Sequence, residues 1–101
     1  MDYGIEDKDQ ETVVRLRGRL TFNDHGKLRA LIREMLQTKA KRQVLDLSAL
    51  EFVDSAGIGM LLIAREEMSN VDKLLILRAA AGQVKRVLTV AQLNKIVAIE
   101  D

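Results

Sequence analysis

The chain of 101 residues contains no cysteine, no proline and no tryptophan, and only one histidine. Without thiols, neither a disulfide framework nor a thiolate metal site can form, and nothing points to an oxidising compartment. One tyrosine and two phenylalanines leave little aromatic surface. Nowhere do about 18 apolar residues run together, so no membrane-spanning segment is expected, and the acidic start MDYGIEDKDQ has no apolar core of a signal peptide. Charge of one sign is also lacking. Sixteen basic against fifteen acidic side chains leave a net +1, too little for the basic field that non-specific nucleic-acid binding needs. A cytoplasmic protein without a nucleic-acid partner or direct membrane insertion is expected.

What is present is the balance of a globular chain, 48% hydrophobic and 31% charged, of a size for one domain over residues 1–101. TVVRLRGRL, Thr12 to Leu20, alternates Val14, Leu16 and Leu20 with Arg15, Arg17 and Arg19, the period of a half-buried strand whose arginines form its wet face. A strand around Tyr3 to Glu6 can pair with it across a polar turn. Leu28, Leu31, Ile32, Met35 and Leu36 then make a helical stripe that Asn23 or Asp24 can cap. QVLDLSAL contains a short apolar run, Val44, Leu45 and Leu47, suited to a buried strand.

A second helix is expected from Ser55 to about Asn70, stopping in a left-handed residue. KLLIL, Lys73 to Leu77, is the next strand. Val84, Val87, Leu88 and Ala91 mark a third helix, and IVAI, Ile96 to Ile99, a last strand. The order β-β-α-β-α-β-α-β implies an α/β fold, a mixed sheet of about five strands with helices packed on it.

One local conflict stands out. Gly57 and Gly59 fall in the first turn or so of the second helix, where each costs about 1 kcal/mol relative to alanine. Close packing of the helix start on the sheet would account for a glycine there. The same segment is apolar nearly all round, from Ile58 to Ala64, so part of its Ile58 and Met60 side is expected at the surface near Ser55.

Enzymatic patterns fail here. A nucleophile elbow needs glycine where Val53 stands, and His25, beside Gly26, suits a helix start better than a base. A dinucleotide fingerprint needs a third glycine where Leu62 stands, and no phosphate-loop lysine follows. Glu66 and Glu67, adjacent on a helix, point about 100° apart, so no metal set forms. Neither a catalytic site nor a cofactor is expected. From spacing alone Ser55 is a helix cap.

LDLSALEFVDSAGIGMLL, with GRLTFNDHGKLR upstream, resembles the STAS domain of bacterial anti-sigma factor antagonists over essentially the whole chain. The resemblance implies a non-enzymatic partner-switching protein. Ser55 would be the serine phosphorylated from ATP by a kinase-type anti-sigma factor and restored by a PP2C-type phosphatase, with Asp54 the acidic residue before it and Ala56 in place of a common second serine. Unphosphorylated, such a protein binds the anti-sigma factor; phosphorylated, it lets go. The expected contact surface comprises Asp54, Ser55, Ala56, Gly57, Ile58 and Met60, with Asn23 and Asp24 in the Asn23 to Lys27 loop as a second contact. The alternative is a STAS regulatory or structural subunit of a membrane transport or lipid-trafficking complex.

Overall fold

The computed structural model describes residues 1–101. Strand β1, Asp2–Asp7, and strand β2, Glu11–Leu20, form an antiparallel hairpin. A 3-10 turn, Phe22–Asp24, leads into helix α1, His25–Gln37, then strand β3, Arg42–Val53, and helix α2, Ser55–Ser69. Strand β4, Leu74–Arg78, helix α3, Gly82–Val90, a second 3-10 turn and strand β5, Ala98–Glu100, complete the chain. The sheet order is β1-β2-β3-β4-β5, with every pair after the hairpin parallel. The five-stranded mixed α/β sheet expected from the sequence is therefore observed.

Alternation along the strands creates two unlike faces. Val14 and Leu16 of β2, Leu45 and Leu47 of β3, and Leu75 and Leu77 of β4 join one core cluster with Leu28, Leu31 and Met35 of α1, Leu61, Ala64 and Met68 of α2, and Val84 and Leu88 of α3. All three helices thus share one apolar layer, and its burial is the main source of stability. On the opposite face Val44 and Ile76, paired in register, are buried outside that cluster.

Four charged side chains from strands β2 to β5 form one ion-pair network. Arg78 bridges Glu11 at 3.2 Å and Glu100 at 3.0 Å, and Arg42 bridges Glu100 at 2.9 Å and Glu11 at 3.4 Å. The guanidinium of Arg78 holds the Glu11 carboxyl below its ordinary range, and those of Arg42 and Arg78 do the same to Glu100. Arg15, Arg17 and Arg19 are exposed; Arg15 pairs with Asp46 at 3.4 Å.

Several boundaries differ from the sequence expectation, each for a local reason. Strand β3 runs on to Val53, since it stays paired with β2 through Arg19 with Phe52 and Leu20 with Val53, past register shifts after Arg15 and Gly18 that break the alternation. Gly18, at φ +88°, a conformation glycine adopts without strain, lies on β2 beside the second of those shifts. Asn70 ends α2 in a right-handed conformation, and the left-handed residue is Asp72. At the end of the chain Ile96 is exposed and Val97 plugs into the core, so the last strand starts only at Ala98. Ala91 is likewise exposed, just beyond the end of α3.

The lowered carboxyls make stability depend on acid. Because Glu11 and Glu100 bind protons less readily folded than unfolded, their contribution is present at neutral pH and is lost as pH falls through their folded values, below the usual glutamate range. Thermal unfolding recorded from neutral pH downward is expected to show that loss, and a Glu100→Gln variant a shallower one.

Candidate functional site

At the end of β3 the chain turns through one residue, Asp54, before entering α2. Asp54 has extended backbone angles and is the helix cap, with one carboxylate oxygen accepting from the Gly57 N–H at 2.7 Å. The other oxygen accepts from the Phe22 N–H at 3.2 Å, and the Asp54 N–H donates to the Leu20 carbonyl at 3.2 Å. One side chain therefore closes the start of α2 and fastens the end of β2 to it. This corrects the assignment of the cap to Ser55, which is instead the first helical residue.

Freed from capping, the Ser55 side chain is exposed and its hydroxyl makes no hydrogen bond within the protein. It stands where the first N–H groups of a helix have no helical acceptor and the dipole favours negative charge. Ala56 and Ile58 are half-buried beside it.

Packing explains only one of the two glycines. A Cβ on Gly57 would lie 2.6 Å from Val53 Cγ2 and 2.8 Å from the Leu20 carbonyl oxygen, so close packing on the sheet requires glycine there. A Cβ on Gly59 would meet nothing within 4 Å. Gly57 is buried and Met60 is only 8% exposed within the core, so neither presents a side chain to a partner. Met60 shares the inward stripe of α2 with Gly57, Leu61, Ala64 and Met68, and the exposed apolar residue is Ile63.

In the loop before α1, Asn23 is exposed, whereas Asp24 is committed internally. The Asp24 carboxylate accepts from the Thr21 N–H at 2.8 Å and from the Met1 ammonium at 3.1 Å. Burial works to raise its carboxyl, but these donors outweigh burial and hold it below the usual aspartate range. Asp24 does not cap α1 through its side chain; it closes the 3-10 turn instead. Phe22 lies 69% exposed in that turn, stacked on His25.

Helix α3 completes the site, and sequence reasoning missed it. Gln83 accepts from the Val53 N–H at 3.0 Å and donates to the Val53 carbonyl at 2.9 Å, bracketing the start of α3 to the end of β3. Between α2 and α3 opens a groove of about 620 Å³, lined by Val53, Ile58, Val87, Val90 and Phe52, with Asp54, Ser55, Gln83, Arg86 and Ala91 around them. Val90 is 83% exposed. A large apolar concavity on a small protein, rimmed by polar groups, is the form of a docking site. No periodicity signals the groove, because Gln83 and Arg86 gain their role only by spatial proximity to β3.

An exposed serine thus stands at a helix mouth beside an apolar groove, on a mixed sheet whose one face is covered by helices. The family model described as "Mlab, STAS domain" matches residues 3–98, and the chain belongs to that family. A STAS-domain containing protein of Pseudomonas aeruginosa (strain UCBPP-PA14) is 26% identical over 87 residues, which are 86% of this chain and 85% of that protein. An anti-sigma factor antagonist from Mycobacterium paratuberculosis superposes with a TM-score of 0.85 at 23% identity, covering 98% of this chain and 84% of the other. The anti-sigma factor antagonist SpoIIAA matches in its unphosphorylated form with a TM-score of 0.72 at 22% identity, covering 99% and 87% of the two chains. The phosphorylated form of SpoIIAA, a Bacillus cell fate determinant, matches with a TM-score of 0.71 at 23% identity, covering 97% and 90%. These likenesses show a shared fold.

The packing yields opposite expectations for neighbouring substitutions. Gly57→Ala is expected to destabilise by about 1–3 kcal/mol, since both near neighbours belong to the core wall. Gly59→Ala is expected to stabilise by up to about 1 kcal/mol from helix propensity. Asp54→Ala is expected to cost about 0.5–2 kcal/mol as a lost cap. Denaturant unfolding of the three variants checks the order.

Proposed function

We propose that the protein is a non-enzymatic anti-sigma factor antagonist whose adhesion is switched at Ser55. In the unphosphorylated state the face around Asp54, Ser55, Ala56 and Ile58, with Phe22 and Asn23 at its edge, docks a kinase-type anti-sigma factor and so frees the sigma factor. The observation that carries this reading is the exposed, unbonded Ser55 hydroxyl at the rim of the groove between α2 and α3. The likeness in fold to SpoIIAA, an anti-sigma factor antagonist known in both phosphorylated and unphosphorylated forms, supports it.

In the switching step the Ser55 oxygen attacks the γ-phosphorus of ATP bound to the kinase. The bond to the β,γ-bridging oxygen breaks, ADP leaves, and the hydroxyl proton passes to a base of the kinase. The product carries about −1.5 to −2 charges at neutral pH, next to the Asp54 carboxylate and against an apolar groove. Docking would then bury a dianion beside a like charge, while in the free protein the start of α2 tolerates it. A PP2C-type phosphatase reverses the step by hydrolysis to serine and inorganic phosphate. The setting of such a switch is the cytoplasm.

Intact mass measured on the protein with its co-purifying kinase, before and after ATP, is expected to show one added phosphoryl group, absent in Ser55→Ala. Ser55→Glu is expected to weaken partner binding roughly a hundredfold by calorimetry, equivalent to about 3 kcal/mol. Undiminished binding by Ser55→Glu would overturn the switch. Association with a transporter ATPase, with no phosphate on Ser55, would favour a STAS subunit of a transport complex, a role in keeping with the fold shared with a sulfate transporter family protein of Wolinella succinogenes (TM-score 0.74, 15% identity).

A further inference from the structure

The charges around the groove are unevenly committed. Its only ionisable lining residues are Asp54 and Arg86. Asp54 spends both carboxylate oxygens on backbone N–H groups of this chain. Arg86, exposed on α3, takes part in none of the ion pairs or hydrogen bonds of the protein. Arg19 adds a second cation beside the same wall, its guanidinium 4.2 Å from the centre of the ring of Phe52, which lines the groove, and no carboxylate reaches it either. Two guanidiniums without an ion-pair partner, Arg86 in the lining and Arg19 over the ring of Phe52, thus neighbour an apolar trough whose one carboxylate, Asp54, is held by backbone N–H groups.

We propose that the groove receives an acidic amphipathic segment of a protein partner, with apolar side chains in the trough and a carboxylate paired with Arg86. This rests on the reading of the Ser55 face as the docking surface, and deepens it by naming what the partner presents. The groove is open, with Val90 83% exposed at its edge, and Val87, Val90 and Ile58 supply its greasy wall. Arg86 supplies the specificity, because guanidinium pairs with carboxylate in a fixed fork. Two cations in a chain of net +1 make no extended basic field, which favours a discrete acidic segment over an anionic bilayer.

A phosphoryl group on Ser55 adds its negative charge to the groove that Arg86 also lines, so it repels the partner's carboxylate.

The test uses the full chain and a short acetylated helical peptide with a leucine stripe bordered by glutamates, against a sister peptide in which lysines replace the glutamates. Titration followed by NMR is expected to place the glutamate peptide on Val87, Val90 and Ile58 with at least roughly tenfold tighter binding than its sister. Arg86→Gln should remove most of that preference and Arg86→Glu should invert it, while circular dichroism shows both variants folded, as befits an exposed helical position. Equal binding of the two peptides, absence of binding, or a preference indifferent to Arg86 overturns the proposal. So does binding to phosphatidylserine vesicles without binding of the glutamate peptide. If partner release follows Ser55 phosphorylation with no dependence on Arg86, the switch stands and this proposal falls. If Arg86-dependent binding persists unchanged in Ser55→Glu, the groove stands and the switch falls.

Discussion

The structure of the site depends on one carboxylate. Asp54 joins the end of β2 to the start of α2 by accepting two backbone N–H groups from segments 35 residues apart in sequence, Phe22 and Gly57. Because the same residue donates its own N–H to Leu20, the mouth of α2 is held from the sheet side as well. A residue with no second acceptor oxygen could not make both ties. Two consequences follow: the next side chain, Ser55, has nothing to cap and is released to the surface, and Gly57 is drawn so close to the sheet that no Cβ fits.

Rigid support and an uncommitted hydroxyl are complementary requirements for a switch worked by charge. A serine that capped its own helix would lose a structural bond on modification, and the fold would have to respond. Here the cap and the modifiable group are adjacent but separate residues. The electrostatics of the site are those of a surface, where an added dianion is solvated in the free protein and costly only when a partner covers it. The groove wall from α3 is equally fixed, since Gln83 brackets both polar groups of the Val53 backbone.

Elsewhere charge has an architectural use. The short strand β5 has only three residues, few for a strand's own hydrogen bonds to hold. Glu100 on it engages Arg42 and Arg78, and through them Glu11, so that four strands share one network over the face that carries no helix. These groups are partly exposed, so solvent screens each pair and its individual contribution is modest.

Period-two alternation in Thr12 to Leu20 and helical stripes such as Leu28, Leu31, Ile32 and Met35 were legible because burial on one side of an element imprints its repeat on the sequence. The DSAGIG segment was legible for another reason: glycines in a helix start violate propensity, and for Gly57 the cause is the sheet against which it packs. That much the amino-acid sequence determined alone, including element order and the mixed sheet. Only the tertiary structure decided that Asp54 rather than Ser55 is the cap, that Met60 faces inward and Ile63 outward, and that α3 brings Gln83, Arg86, Val87 and Val90 to the other side of the serine. Helical repeat specifies which residues share a stripe, but a segment apolar on every side does not specify which stripe is covered; and contacts between residues about 30 positions apart, such as Gln83 with Val53, come from chain packing, which leaves no local periodicity to read.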